Sequence, residues 1–180
     1  MARYLAFLRA INVGGHTVKM DDLRALFELS GFSNVETFIA SGNVLFEASS
    51  KGGNALEKKI ESRLREALGY EVATFIRTEA ELRAIAAYRP FPPSLLEAAA
   101  AFNLAFLKEP PDDPSQQRVR ALRTPIDDFH IRGRELYWLC RKKQSESTFS
   151  NAVLERTLGK PSTLRGVETI QKMAAKYRIT

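Results

Sequence analysis

The sequence predicts an α+β protein built as two tandem halves, each an antiparallel sheet with helices laid against it. Three observations predict this. Short apolar segments of strand length alternate with stretches whose apolar residues recur every three or four positions. The order strand–helix–strand–strand–helix occurs twice along the 180 residues. Between the two occurrences stand Pro90, Pro92 and Pro93, which neither a helix nor a strand tolerates in its interior.

In the first half, residues 4–9 are apolar and aromatic and predict a strand. Residues 10–19 hold Asn12, Gly14 and Gly15 and predict a loop. From Met20, apolar Leu23, Leu26 and Phe27 recur at helical spacing, with Asp21 and Asp22 in the first turn and Gly31 as the stop. Residues 35–39 and 44–47 predict two short strands joined by Ala40-Ser41-Gly42-Asn43. Leu56, Ile60, Leu64 and Leu68 mark a helix ended by Gly69, and residues 72–77 predict a fourth strand. The order βαββαβ is the ferredoxin-like split unit.

A connecting segment follows over residues 79–100, with residues 1–78 as the first half and 101–180 as the second. It opens with Thr78-Glu79-Ala80-Glu81, a capping box, and closes in the proline-rich linker; the alanine run 98–101 reads as a helical or linker piece. In the second half, residues 102–107 predict a strand and 108–114 a Pro/Asp loop. Residues 115–122 predict a helix, then 128–132 and 135–140 a hairpin through Gly133. Residues 149–158 and the face carrying Val167, Ile170, Met173, Ala174 and Tyr177 predict two more helices, giving βαββαα. No close sequence repeat links the halves, so the expected duplication is one of topology.

The strands at 4–9, 102–107 and 135–140 carry apolar residues on both alternating sets, Leu5 and Phe7 against Ala6 and Leu8 for example. A half-exposed sheet would alternate apolar with polar. The sheet face away from the helices is therefore expected to be covered, by the other half or by a second chain. A monomer and a homodimer both satisfy this.

Composition bounds the partners. Hydrophobic residues at 44% and charged residues at 27% exclude wholesale disorder. The single cysteine, Cys140, cannot form an internal disulfide, which fits a cytoplasmic protein. No apolar run approaches the roughly 18 residues of a spanning helix, so no membrane is expected. Net charge is +6, with 12 Lys/Arg against 11 Asp/Glu in residues 1–90 and 15 against 10 in residues 91–180. The basic second half makes nucleic acid a partner to weigh, through Arg132, Arg134, Arg141, Lys142, Lys143, Lys172 and Lys176. Phe7 and Phe46 fall on the first and third strands, as aromatics do in RNA recognition motifs, but residues 41–46 lack the paired aromatics of that pattern.

Classical catalysis is not represented, and no residue is assigned as catalytic. His16 and His130 lack metal-ligand spacing, and neither a Cys pair nor a Gly-x-Ser-x-Gly motif is present, so no metal and no cofactor is expected. Asp112-Asp113 and Asp127-Asp128 read as solvated caps, and Cys140 as core. The strongest candidate is a ligand site. In βαββαβ order the first and second strands run the same way, so the Arg9–Gly15 loop and the Ser41-Gly42-Asn43 turn share one end of the sheet. Arg9, Asn12, Gly14, Gly15, Ser41, Gly42 and Asn43 then offer charge, amides, a hydroxyl and free N–H groups to a small anionic or phosphate-bearing ligand.

These same residues resemble the opening of the bacterial domain of unknown function 1697 family. The family pattern is matched by Arg9 to Gly15, by Met20 with Leu23, by Gly31-Phe32 and by residues 37–44, Thr-Phe-Ile-Ala-Ser-Gly-Asn-Val. Pro90-Phe91 resembles its mid-chain pattern. Near the end Ser147, Thr163, Arg165 and Thr169 match, while Thr148 stands for a lysine and Gly166-Val167-Glu168 for Asn-Trp-Asn. The resemblance implies an α+β fold with two similar halves and no established activity. It adds Thr163 and Arg165 to the candidate ligand residues.

Overall fold

The computed structural model describes residues 1–12, 14–39, 42–49 and 52–179. The chain divides into two compact units, residues 1–84 with the tail from Tyr177, and residues 85–176.

The first unit runs β1 (Ala2–Leu8), α1 (Met20–Leu29), β2 (Ser33–Thr37), β3 (Asn43–Ala48), α2 (Gly53–Leu68) and β4 (Thr74–Thr78). Its four-stranded sheet has the order β2-β3-β1-β4, with every neighbour antiparallel. Helical spacing turns Leu23 and Phe27 of α1 and Leu56, Ile60 and Leu64 of α2 inward, onto Tyr4, Ala6 and Leu8 of β1 and Val44 and Phe46 of β3. The other alternating set, Leu5, Phe7, Leu45 and Phe75, is equally buried. Both faces of this sheet are therefore withdrawn from water, as the apolar pattern required. The tail also belongs to this unit: the Arg3 guanidinium donates to the Tyr177 carbonyl, and the Tyr177 ring meets Phe38 edge-on.

α3 (Glu79–Ala87) starts on the expected capping box, in which Glu81 accepts the Thr78 N–H and the Thr78 hydroxyl accepts the Glu81 N–H. The proline linker contains a helix the sequence reading did not separate, α4 (Pro93–Ala98), where proline at the first turn loses no hydrogen bond.

The second unit runs β5 (Ala101–Phe106), α5 (Asp113–Arg120), β6 (Asp127–Arg132), β7 (Glu135–Cys140), a 3-10 turn at Gln144–Glu146, α6 (Asn151–Leu158), β8 (Thr163–Gly166) and α7 (Val167–Lys176). Its sheet repeats the first, with order β6-β7-β5-β8. The reading βαββαα is thereby corrected: Thr163–Gly166 is a strand. Four residues with two polar side chains and a terminal glycine carry no local strand signal. Pairing with β5, from Phe106 opposite Thr163 to Asn103 opposite Gly166, makes the strand.

Superposed by topology, the halves also reveal a short repetition in sequence. β1 contains Leu5-Ala6-Phe7-Leu8, and β5 runs through Leu104-Ala105-Phe106 into Leu107. Leu5 lies opposite Arg77 of β4, and Leu104 lies opposite Arg165 of β8. Each of these arginines is buried, and each donates through Nη1 to the carbonyl of the residue before it, Ile76 or Leu164.

One expectation for this unit is overturned. Asp127 is not a solvated cap but 1% exposed, and its carboxylate accepts Trp138 Nε1–H at 2.8 Å, the Ser147 hydroxyl at 2.7 Å and the Thr124 hydroxyl at 2.7 Å. Burial pushes this carboxyl up, but the bonds from Trp138, Ser147, Thr124 and Cys140 together outweigh it and hold it below its ordinary 3.8. Trp138 in turn packs on Phe149, and Phe149 on Phe129, so one carboxylate aligns the core under β6 and β7. Cys140 is buried in the same core, as read from the sequence.

Because the folded carboxyl titrates below its unfolded value, its contribution is complete above pH 3.8 and is lost as pH falls through the lower folded value. Asp127→Asn is expected to cost about 2–3 kcal/mol at neutral pH by weakening charge-assisted bonds. Urea unfolding followed to about pH 2.5 should show the gap between wild type and variant closing in acid. An unchanged gap would mean that the carboxylate's charge does not matter.

Candidate functional site

β1 ends at Leu8, and its continuation meets the β2–β3 turn directly. The Leu8 N–H donates to the Gly42 carbonyl at 2.9 Å, and the Arg9 N–H donates to the Ala73 carbonyl at 2.9 Å. Gly42 sits at φ +82, and a Cβ there would stand 3.0 Å from both Leu8 Cβ and Ile11 Cγ2. The approach of loop to turn thus needs a residue with no side chain and a left-handed backbone. The expected shared end of the sheet is observed, and its closeness depends on this position.

The loop between β1 and α1 is held from both sides. The Asn12 side-chain oxygen Oδ1 accepts the Val18 N–H at 2.7 Å, closing the loop on itself. The Tyr70 hydroxyl, from the α2–β4 connection, donates to the Ile11 carbonyl at 2.9 Å. The Tyr70 ring stacks under His16, with centroids 3.9 Å apart and planes inclined by 24°. At the apex, Gly14 and Gly15 are exposed, with φ of +65 and +84 and open space where a Cβ would go. They are glycines for backbone conformation, not for lack of room.

The candidate residues take different parts. Arg9 is half-buried at the root of the loop. Asn43 is fully buried; its side-chain amide donates to the Phe38 carbonyl, while its own carbonyl accepts the Phe38 N–H. Asn12 and Asn43 therefore build the loop and the turn, the role asparagine takes in both. Ser41 lies outside the described residues. Lys19 at the start of α1 provides no side-chain cap, and Asp21 and Asp22 occupy the first helical turn. The helix dipole is thus already answered by carboxylates, and any preference for an anion rests on Arg9 and on the glycine N–H groups.

Thr163 and Arg165 belong to the second unit, on β8. The Arg165 Nη1 donates to the Thr163 hydroxyl at 2.8 Å and to the Leu164 carbonyl at 2.9 Å. Burial alone brings this guanidinium down to about 10. Tyr70 and His16, which shape the first-unit loop, were not among the expected site residues. Nothing in their linear spacing links them to Ile11. Among the described residues no cluster of His, Cys, Asp or Glu could hold a metal ion, and no helix is long and apolar enough to cross a membrane.

Comparison with known proteins agrees with the fold and names no activity. The family described as "Protein of unknown function (DUF1697)" matches residues 1–137. A conserved bacterial protein from Streptococcus pneumoniae has a similar solved structure, with a TM-score of 0.80, 21% identity and 99% of each chain covered. No curated protein matches the chain significantly.

Gly42→Ala is expected to lower stability by about 2–3 kcal/mol, from the left-handed backbone and the clash with Leu8. Tyr70→Phe removes one hydrogen bond and should cost only about 1 kcal/mol. Equal thermal midpoints for Gly42→Ala and wild type would show that the two loops do not depend on this contact.

Proposed function

The chain belongs to the DUF1697 family of unknown function, and from that premise we propose that it binds a small anionic, phosphate-bearing ligand at the loop joining β1 to α1. The observation that carries the reading is the pinned loop. Tyr70, Asn12 and Gly42 fix both flanks, while consecutive left-handed glycines stand exposed at the apex. Flanks fixed before a ligand arrives reduce the conformational cost of binding. Backbone N–H groups of exposed glycines, on a loop that also carries an arginine, suit phosphate oxygens, which accept several donors at once.

In this reading Arg9 supplies charge and Gly14 and Gly15 supply backbone donors. Asn12, Gly42 and Asn43 position the loop without taking ligand bonds of their own. His16, on the same loop, is held by stacking on Tyr70 of the α2–β4 connection. The reading assigns no reaction.

A thermal-shift screen of the purified chain against nucleotides, sugar phosphates, coenzyme A derivatives and short oligonucleotides tests it. A ligand at about 100 times its dissociation constant stabilises by about 2.7 kcal/mol, a shift of several degrees. The expected result is a hit with one phosphorylated small molecule that Arg9→Ala loses while melting cooperatively near the wild-type temperature. Stabilisation by oligonucleotides alone, steeply weakened by salt, would move the function to the basic surface of the second half. A hit retained in Arg9→Ala would remove the loop from the account.

A further inference from the structure

The second unit reaches the same topological corner with different residues. There β5 passes to α5 through residues 107–112, and α6 passes to β8 through residues 159–162. A cavity of about 500 Å³ opens between these two connections, within the range that holds small organic ligands. Leu107, Leu158, Pro110, Pro111 and Pro161 form its apolar wall. Proline rings are rigid and their nitrogens carry no hydrogen, so this wall presents fixed surface and few competing donors.

The charges at the cavity are unequal in how they are engaged. Asp112 caps α5 by accepting the Ser115 N–H at 2.8 Å. Glu109 is ion-paired with Lys160. Arg118 is held by two of its nitrogens: Nε donates to the Thr157 carbonyl at 3.2 Å and Nη2 to the Ser115 hydroxyl at 2.9 Å. These bonds fix the plane of the guanidinium and use two of its five N–H donors, leaving both on Nη1 and one on Nη2. Lys108 also lines the cavity, and Arg118 and Lys160 both favour the ionised form of Asp112.

From this we propose that the cavity binds a small organic monocarboxylate, with its apolar body on the proline wall and its carboxylate on Arg118. A pre-oriented guanidinium beside apolar surface is suited to a carboxylate, and it loses little freedom on binding. Glu109 and Asp112 set the charge limit: two lining carboxylates repel a phosphate dianion more strongly than a monoanion. The site is independent of the β1–α1 loop and needs nothing from it.

The probe is 4-phenylbutyrate, with its neutral primary amide as the shape-matched control, titrated into the isotope-labelled full chain and followed by backbone amide resonances. A ligand of about twelve heavy atoms should bind with a dissociation constant on the order of 0.1–1 mM. Shifts should be saturable and centred on residues 107–118 and 158–161. The amide, and the Arg118→Gln variant with the acid, should each bind at least about tenfold more weakly. Arg118→Lys keeps the charge without the planar fork and should fall between them; it also serves if Arg118→Gln melts early. Arg9→Ala should leave this binding unchanged, which separates it from the loop site. Equal binding of acid and amide, shifts centred elsewhere, or no saturable shift would overturn the proposal.

Discussion

Each sheet is organised around a central strand whose two faces are both apolar. β1 lies between β3 and β4, and β5 between β7 and β8, so neither is an edge. Strand register is usually enforced because a slip by one residue would bring polar side chains into the core. That penalty is weak when both alternating sets are apolar. Register here has to be held by size and by the strand ends. Ala6 and Ala105 are fully buried, so a slip would exchange small side chains for large ones in the core, and the backbone bonds from Leu8 to Gly42 and from Arg9 to Ala73 lock β1 at its exit. The bonds that fix the central strand at its exit thus also set where the candidate loop begins. A ligand site at this corner inherits its rigidity from the sheet.

Polar groups inside this apolar frame serve as alignment points. Asp127 gathers Trp138, Ser147 and Thr124 from separate segments, and a carboxylate so engaged permits one arrangement of those segments. Arg77 and Arg165 do related work on β4 and β8, each bonded to the preceding backbone carbonyl. The two units therefore share a plan down to a buried arginine opposite the same leucine. They differ at the corner where the first strand hands over to the first helix, which is a glycine loop in one unit and a proline-walled cavity in the other. Divergence at loops over a common scaffold is the usual way one fold acquires separate sites.

Elements with strong local signals were legible in the sequence. Leu56, Ile60, Leu64 and Leu68 announced α2, and Gly133 between apolar runs announced the β6–β7 hairpin. The Thr78–Glu81 capping box was found as read. β8 was not legible, because its strand character comes from β5, more than fifty residues earlier, and not from Thr-Leu-Arg-Gly itself. Asp127 was misread for a related reason: its partners Trp138 and Ser147 are brought to it by the hairpin and the turn that follows. At the candidate site the convergence of loop and turn followed from strand direction alone. Asparagine's habit of capping its own loop was the alternative reading of Asn12 and Asn43, and it is the one observed. That Tyr70 would support Ile11 depended on distances no spacing rule encodes.

The position of Tyr177 has a bearing on how the chain matures during synthesis. The first unit draws its last pieces from the residues that follow α7, with Arg3 bonded to the Tyr177 carbonyl and Phe38 against the Tyr177 ring. A ribosome adding about 5–20 residues per second must make the whole second unit before those contacts can form. For several seconds, therefore, Phe38 and the Arg3 side chain of the nascent first unit are not engaged by the tail. Translation speed through the second unit, a property written in codons and not in contacts, sets how long that unfinished surface is open to other chains.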